Sequence, residues 1–171
     1  MQKISLKEMI EDDYDDYYII RSSPADIYWN GYVDKPNKEE FKKLFLQRLG
    51  NASFEKEEDK RLYLIQLECE DVVYNIGFIQ LTKREDGTDI AYTVVEKFQG
   101  YGYATEALKL GINQAKEFGD NIYVQIRDDN IPSQKVAKKC GFVATDEYIE
   151  NKYPKVGIVK LRKHRLMIKH K

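Results

Sequence analysis

The stretch from Val94 to Thr105, VVEKFQGYGYAT, sets two glycines one residue apart between a β-branched run and a helical pattern. A joint of this kind suits an anion. The first turn of a helix carries N–H groups without intrahelical partners, and its dipole favours negative charge. Gly100, Gly102 and Ala104 keep the turn free of bulk, so that backbone donors can face a phosphate, while Thr105 adds a hydroxyl. Two well-known nucleotide loops are excluded. A Walker loop needs Gly-x-x-x-x-Gly-Lys-[Ser/Thr], which is absent, and a dinucleotide fingerprint needs Gly or Ala where Thr105 stands.

The elements that must position this turn follow from periodicity. Ser23-Pro24 reads as a helix start, and Phe41, Leu44, Phe45 and Leu49 have helical spacing, so the first third is expected to be mostly helical. RLYLIQLECE, VVYNIGFIQLTK and TDIAYTVV read as a strand meander, with Asp86-Gly87 as a hairpin signal. Ala104, Ala107, Leu108, Gly111, Ile112, Ala115 and Phe118 share one helical face, which Gly119 ends. NIYVQI is a short strand, Pro132 to Gly141 a second helix, and the tail has strand-like pieces around Glu147–Glu150 and Val156–Leu161. A helical crossover between TDIAYTVV and NIYVQI requires those two strands to be parallel. The expectation is one α/β domain over 1–171, with a mixed, mostly antiparallel central sheet and helices on both faces.

Composition narrows the function classes. With 42% apolar and 33% charged residues, the chain reads as globular. Its 28 Lys and Arg against 29 Asp and Glu leave no electrostatic footprint for DNA. No apolar run is long enough to span a bilayer, and MQKISLKEMIEDD lacks a signal-peptide core, so the cytoplasm is the expected location. Cys69 and Cys140 read as buried free thiols. His164 and His170 both lie in a basic tail, Lys160 to Lys171, which argues against a histidine triad and a histidine metal site. The acidic run Glu11, Asp12, Asp13, Asp15, Asp16 reads as a solvated face, and Trp29 with Tyr28 and Tyr32 as core rather than cleft wall.

Gln99-Gly100-Tyr101-Gly102-Tyr103-Ala104 fits the pattern (Gln/Arg)-x-x-Gly-x-(Gly/Ala), and DDNIPSQKVAKKCGF places Asn130, Ser133, Gly141 and Phe142 in an Asn-x-x-Ser … Gly-Phe pattern. With these two motifs on a β-α-β-α unit, the chain resembles the GNAT acetyltransferase superfamily, and most of all its ribosomal-protein N-terminal acetyltransferase branch. The resemblance spans about Arg61 to Phe142. It implies acetyl-CoA as cosubstrate, no metal, and a primary amine as acceptor: a protein N-terminus, a lysine or a small molecule. The alternative is a non-catalytic acyl-CoA-binding regulatory module of the same fold, and a homodimer is compatible with either.

The resemblance also implies roles. Gln99, Gly100, Tyr101, Gly102, Tyr103, Ala104 and Thr105 would cradle the pyrophosphate. Val94 and Val95 would offer backbone to the pantetheine arm, one Val N–H polarising the thioester carbonyl. Asn130 would bond the arm from the opposite side. Many members carry an acid Tyr four residues before the Gly-Phe pair, but Ala137 stands there, so Ser133 is the candidate acid. Asp89, at the start of DIAYTVV, is the candidate base, and Glu150 its rival. The acceptor site would lie between Arg21–Tyr32 and the segment around Tyr148.

Overall fold

Alternating apolar residues build most of the computed structural model, which describes residues 2–51 and 53–167. β2 (Lys60–Cys69), β3 (Val72–Arg84) and β4 (Gly87–Val94) form the expected antiparallel meander. β5 (Ile122–Arg127) lies parallel to β4, as the helical crossover demands. β6 (Phe142–Tyr153) and β7 (Gly157–Leu166) form a terminal hairpin longer than the sequence pieces indicated, and β7 inserts beside β5. The seven-stranded sheet runs β1-β2-β3-β4-β5-β7-β6.

The edge strand β1 (Gln2–Glu8) corrects the expectation of a mostly helical first third. Its signal is short: Ile4 and Leu6 alternate among polar residues, and it is pairing opposite Leu67 and Ile65 of β2 that makes the segment a strand.

Helices cover both faces, as expected. α1 (Tyr14–Arg21) and α3 (Lys38–Gly50) pack with Leu62, Leu64 and Phe78 into one core, where Tyr17 stacks on Phe41 and meets Phe78 edge-on. α4 (Tyr103–Ala115) seals the other face with Ala107, Leu108 and Ile112 against Ile79, Ile90 and Val124. At Gly111 an added Cβ would come within 2.9 Å of Ile79, so the glycine sets how closely α4 approaches the sheet. The short α2 (Pro24–Trp29) begins as the sequence indicated, with Ser23 accepting from the Asp26 N–H. α5 (Ile131–Lys139) follows β5.

Several surface readings change. Asp13 is turned inward, held by Lys7 and by the Ile10 N–H, although Glu11, Asp12, Asp15 and Asp16 are exposed. Cys69 and Cys140 are free but half-buried. His164 is a buried β7 residue, whereas His170 and the end of the basic tail lie outside the described residues. Among the described residues no helix is long and apolar enough to cross a membrane, and no His/Cys/Asp/Glu cluster could hold a metal.

One irregularity shapes everything nearby. β4 and β5 share two registered pairs, Thr88 with Ile122 and Asp89 with Tyr123, and then diverge. On its other edge β4 stays paired with β3 to Val94, where it passes so close to Gly77 that a Cβ there would meet the Thr93 carbonyl oxygen at 2.0 Å. The neighbour is backbone, so β4 itself would have to move. Gly77→Ala should therefore destabilise the protein by about 1–3 kcal/mol, the usual cost of overpacking. Urea denaturation checks it, and an unchanged midpoint would show that β4 is free to shift.

Candidate active site

Strand parity decides which backbone groups face the gap between β4 and β5. The Thr88 N–H bonds the Asn121 carbonyl on the β5 side, and the Val95 N–H bonds the Ile76 carbonyl on the β3 side. Backbone groups alternate between the two edges of a strand, so those of Tyr92 and Val94, beyond the last pair, point into the split. The Val94 carbonyl is taken by the Gln99 side chain at 2.7 Å. Of the two valines expected to serve a ligand, only Val94 has an N–H directed there. Tyr92, not singled out in the sequence, joins it.

The split opens into a continuous cleft of about 600 Å³ that passes through the sheet. On the α4 side, Gln99, Gly100, Gly102, Tyr103, Ala104 and Thr105 line it. Gly100 and Gly102 have φ of +85° and +88°, and Gly102 caps α4. An added Cβ would meet no protein atom at either position, so backbone conformation, not crowding within the protein, calls for glycine. The turn aims the first N–H groups of a 13-residue helix at the cleft, a fit for a phosphate group. Tyr101 does not line the cleft; it is 69% exposed and stacks on Tyr103.

Across the split, Asn130 and Ser133 line the wall formed by the head of α5. Asn130 caps the helix, its Oδ1 accepting from the Ser133 N–H at 3.2 Å. The Tyr92 hydroxyl donates to the Ser133 carbonyl at 3.3 Å and so spans the gap from β4 to α5. Burial pushes the Tyr92 phenol up to about 12, which keeps it protonated through the neutral range. Ala137 is fully buried in the core, so the missing tyrosine there leaves no space behind.

On the opposite face Asp89, Ala91 and Thr93 of β4 and Gln125 and Arg127 of β5 line the cleft, with Trp29 of α2, its C-capping Asn30, and Asn151 and Tyr153 of β6. Trp29 is thus a cleft wall and not core. A buried polar clamp holds α2 in place: Asp26 pairs with Arg21 at 2.9 Å and accepts from Thr93 Oγ1 at 2.8 Å and Asn30 Nδ2 at 2.9 Å. Glu96 adds a hydrogen bond from the Ala25 N–H.

Asp89 is the carboxylate of this cleft. Its side chain is 14% exposed, and Arg84 Nη2 lies 3.9 Å away. Burial pushes its carboxyl up to about 6, against the pull of Arg84, Lys163 and Lys60. Glu150 is not brought to the cleft. It lies between two lining residues of β6, Ile149 and Asn151, so the alternation of the strand turns it away; it is 59% exposed and pairs with Lys160 at 3.7 Å.

Residues 3–143 match the family model described as an acetyltransferase (GNAT) domain. Comparison with curated proteins found no significant match. Among solved structures, the chain resembles the spermidine N-acetyltransferase of Vibrio cholerae in complex with CoA and spermine, with 12% identity and a TM-score of 0.78 over 95% of this chain and 94% of that one. It also resembles the Salmonella typhimurium acetyltransferase that modifies the N-terminal serine of ribosomal protein L7/L12 (17%, 0.75, 97% and 95%). A third is the aminoglycoside acetyltransferase AAC(6')-Ib in complex with coenzyme A (16%, 0.71, 95% and 95%).

The raised carboxyl of Asp89 costs stability. A folded-state pKa of about 6 against the ordinary aspartate value of 3.8 means that the penalty is absent below about pH 4, grows between pH 4 and 6, and is complete above. At about 1.4 kcal/mol per pH unit it approaches 3 kcal/mol. Asp89→Asn should raise the melting temperature at pH 7.5 and leave it nearly unchanged at pH 4. Thermal unfolding at the two pH values checks this; an equal shift at both would show that charge is not the cause.

Proposed function

The chain belongs to the acetyltransferase (GNAT) domain family, and from that premise we propose that its cleft binds acetyl-CoA and passes the acetyl group to a primary amine by direct attack, with both substrates bound. The observation that carries this reading is the buried Asp89 carboxyl lining the same cleft as two strand amides and a helix N-terminus suited to phosphate.

Acetyl-CoA supplies a thioester, whose carbonyl carbon takes the amine nitrogen while the carbon–sulfur bond breaks. The turn from Gln99 to Thr105 holds the pyrophosphate through backbone N–H groups. Tyr92 and Val94 present their amides to the extended arm, like a strand edge to a new strand, and one of them donates to the carbonyl oxygen. Asn130 bounds the arm from the other side. The Asn130 Nδ2 makes no bond to protein among the described residues and is left for this contact.

Asp89 takes the proton that the amine gives up. It stands three residues before Tyr92, about 10 Å along the strand, so a water carries the proton between amine and carboxylate. With its carboxyl near 6, Asp89 is mostly ionised at neutral pH yet basic enough to accept. Ser133, at the head of α5, gives a proton to the departing sulfur. Its backbone is fixed from both sides, by Asn130 at its N–H and Tyr92 at its carbonyl.

The acceptor enters from the side of α2 and the β6–β7 hairpin. The relatives in solved structures act on a polyamine, a protein N-terminus and an aminoglycoside, as their names state, so the shared element is a primary amine.

Acetylation measured by thiol release should show kcat/KM falling on the acid side with a midpoint near pH 6. Asp89→Ala should lower the rate by about 10²–10⁴-fold, the usual worth of a general base, and remove that midpoint. An unchanged profile would take Asp89 out of the mechanism.

A further inference from the structure

Accepting that the cleft transfers acetyl groups to an amine, its charges say what else the acceptor carries. A polycationic acceptor needs several carboxylates facing it. Here Asp89 is the single carboxylate lining the cleft among the described residues. Two others nearby have partners within the protein. Asp26 is 1% exposed and bonded to Arg21, Thr93 and Asn30. Asp128 pairs with Arg162 at 3.2 Å.

The cations are placed differently. Arg84 and Arg127 both line the acceptor side. The Arg127 side chain is 8% exposed and seated among the rings of Tyr28, Trp29 and Tyr153, at 5.3, 5.0 and 5.8 Å. Its Nε and Nη2 donate to the two carboxylate oxygens of Asp129 at 2.9 and 2.6 Å. That pair sets the plane and direction of the guanidinium. Nη1 bonds no protein acceptor among the described residues. A buried, oriented guanidinium with an unspent edge on a ligand cleft is built to receive an anion. It stands two residues beyond Gln125 on the same face of β5, about 7 Å along the strand, and both line the cleft.

We propose that the acceptor is a small molecule with one primary amine and an anionic group, a carboxylate or a phosphate, and that Arg127 receives the anion while Asp89 serves the amine. Polyamines and aminoglycosides are then poor substrates. They carry no anion for the open edge of Arg127, and the single lining carboxylate cannot balance their several charges.

The test is an acceptor panel with the full chain and acetyl-CoA, read by thiol release: ω-amino carboxylates of increasing length, their carboxamides, the matched diamines, aminoalkyl phosphates, and spermidine. The carboxylate or phosphate acceptor should exceed its neutral match by about tenfold or more in kcat/KM, since a site with an oriented donor rejects the analogue that leaves it unpaired. Whichever anion ranks first names the source. Diamines and spermidine should fall below the neutral match. Arg127→Gln should bring the ratio of charged to neutral acceptor close to one and leave the KM for acetyl-CoA unchanged. The wild-type panel decides the question even if that variant folds poorly. Preference for carboxamides or polyamines would overturn the proposal and leave acetyl transfer standing. No thermal stabilisation by CoA and no thiol release from any acceptor would take both down.

Discussion

Two strands that pair and then part are the constraint from which the rest of this structure follows. In a sheet, nearly every backbone N–H and C=O finds a partner, because an unpaired buried group costs as much as a lost hydrogen bond. β4 and β5 give up that pairing after Asp89 and Tyr123. An opening of this kind closes unless each strand is held from elsewhere. β3 holds β4 to its end, with the tight passage at Gly77. β7 holds β5 through five registered pairs, from Tyr123 to Arg127. From above, the Arg21–Asp26–Thr93 clamp ties α2 to β4 near the mouth. The gap is a feature that three neighbouring elements maintain.

Once the split is fixed, the chemistry distributes itself by strand parity. Amides of Tyr92 and Val94 lie in the plane of the opening. Ile90, Tyr92 and Val94 side chains point to the α4 face, while Asp89, Ala91 and Thr93 point to the α2 face. In the proposed reaction one strand thereby serves the phosphate-bearing substrate with its edge and the acceptor with its other face. The small Ala91 side chain, exposed between Asp89 and Thr93, leaves the floor clear where the two substrates would meet.

Much of the cleft's α4 side was legible in the sequence because local chemistry dictates it. Positive φ at Gly100 and Gly102 and the Asn130 cap depend on a few consecutive residues, and the family resemblance rests on the same ones. Asp89 was legible as a carboxylate on the right strand, but its raised carboxyl was not, since that comes from burial by elements far along the chain. Features that depend on distant partners were missed or misjudged. β1 exists because β2 offers it an edge. Trp29 reads as core from its type, yet the clamp turns α2 so that it walls the cleft. Val95 and Val94 look alike in sequence, and only their pairing with β3 separates them. Glu150 was misjudged because the register of β6, which decides the face it takes, is set by the long hairpin with β7.

In the proposed reaction an extended ligand arm lying along the freed edge of β4 completes the split. Residue-resolved amide hydrogen exchange, with and without CoA, tests it most directly. CoA should slow exchange at Tyr92, Val94 and the first amides of α4, and leave Val95, already bonded to Ile76, unchanged. Slowed exchange at Val95 without change at Tyr92 and Val94, or protection confined to a distant surface, would contradict it.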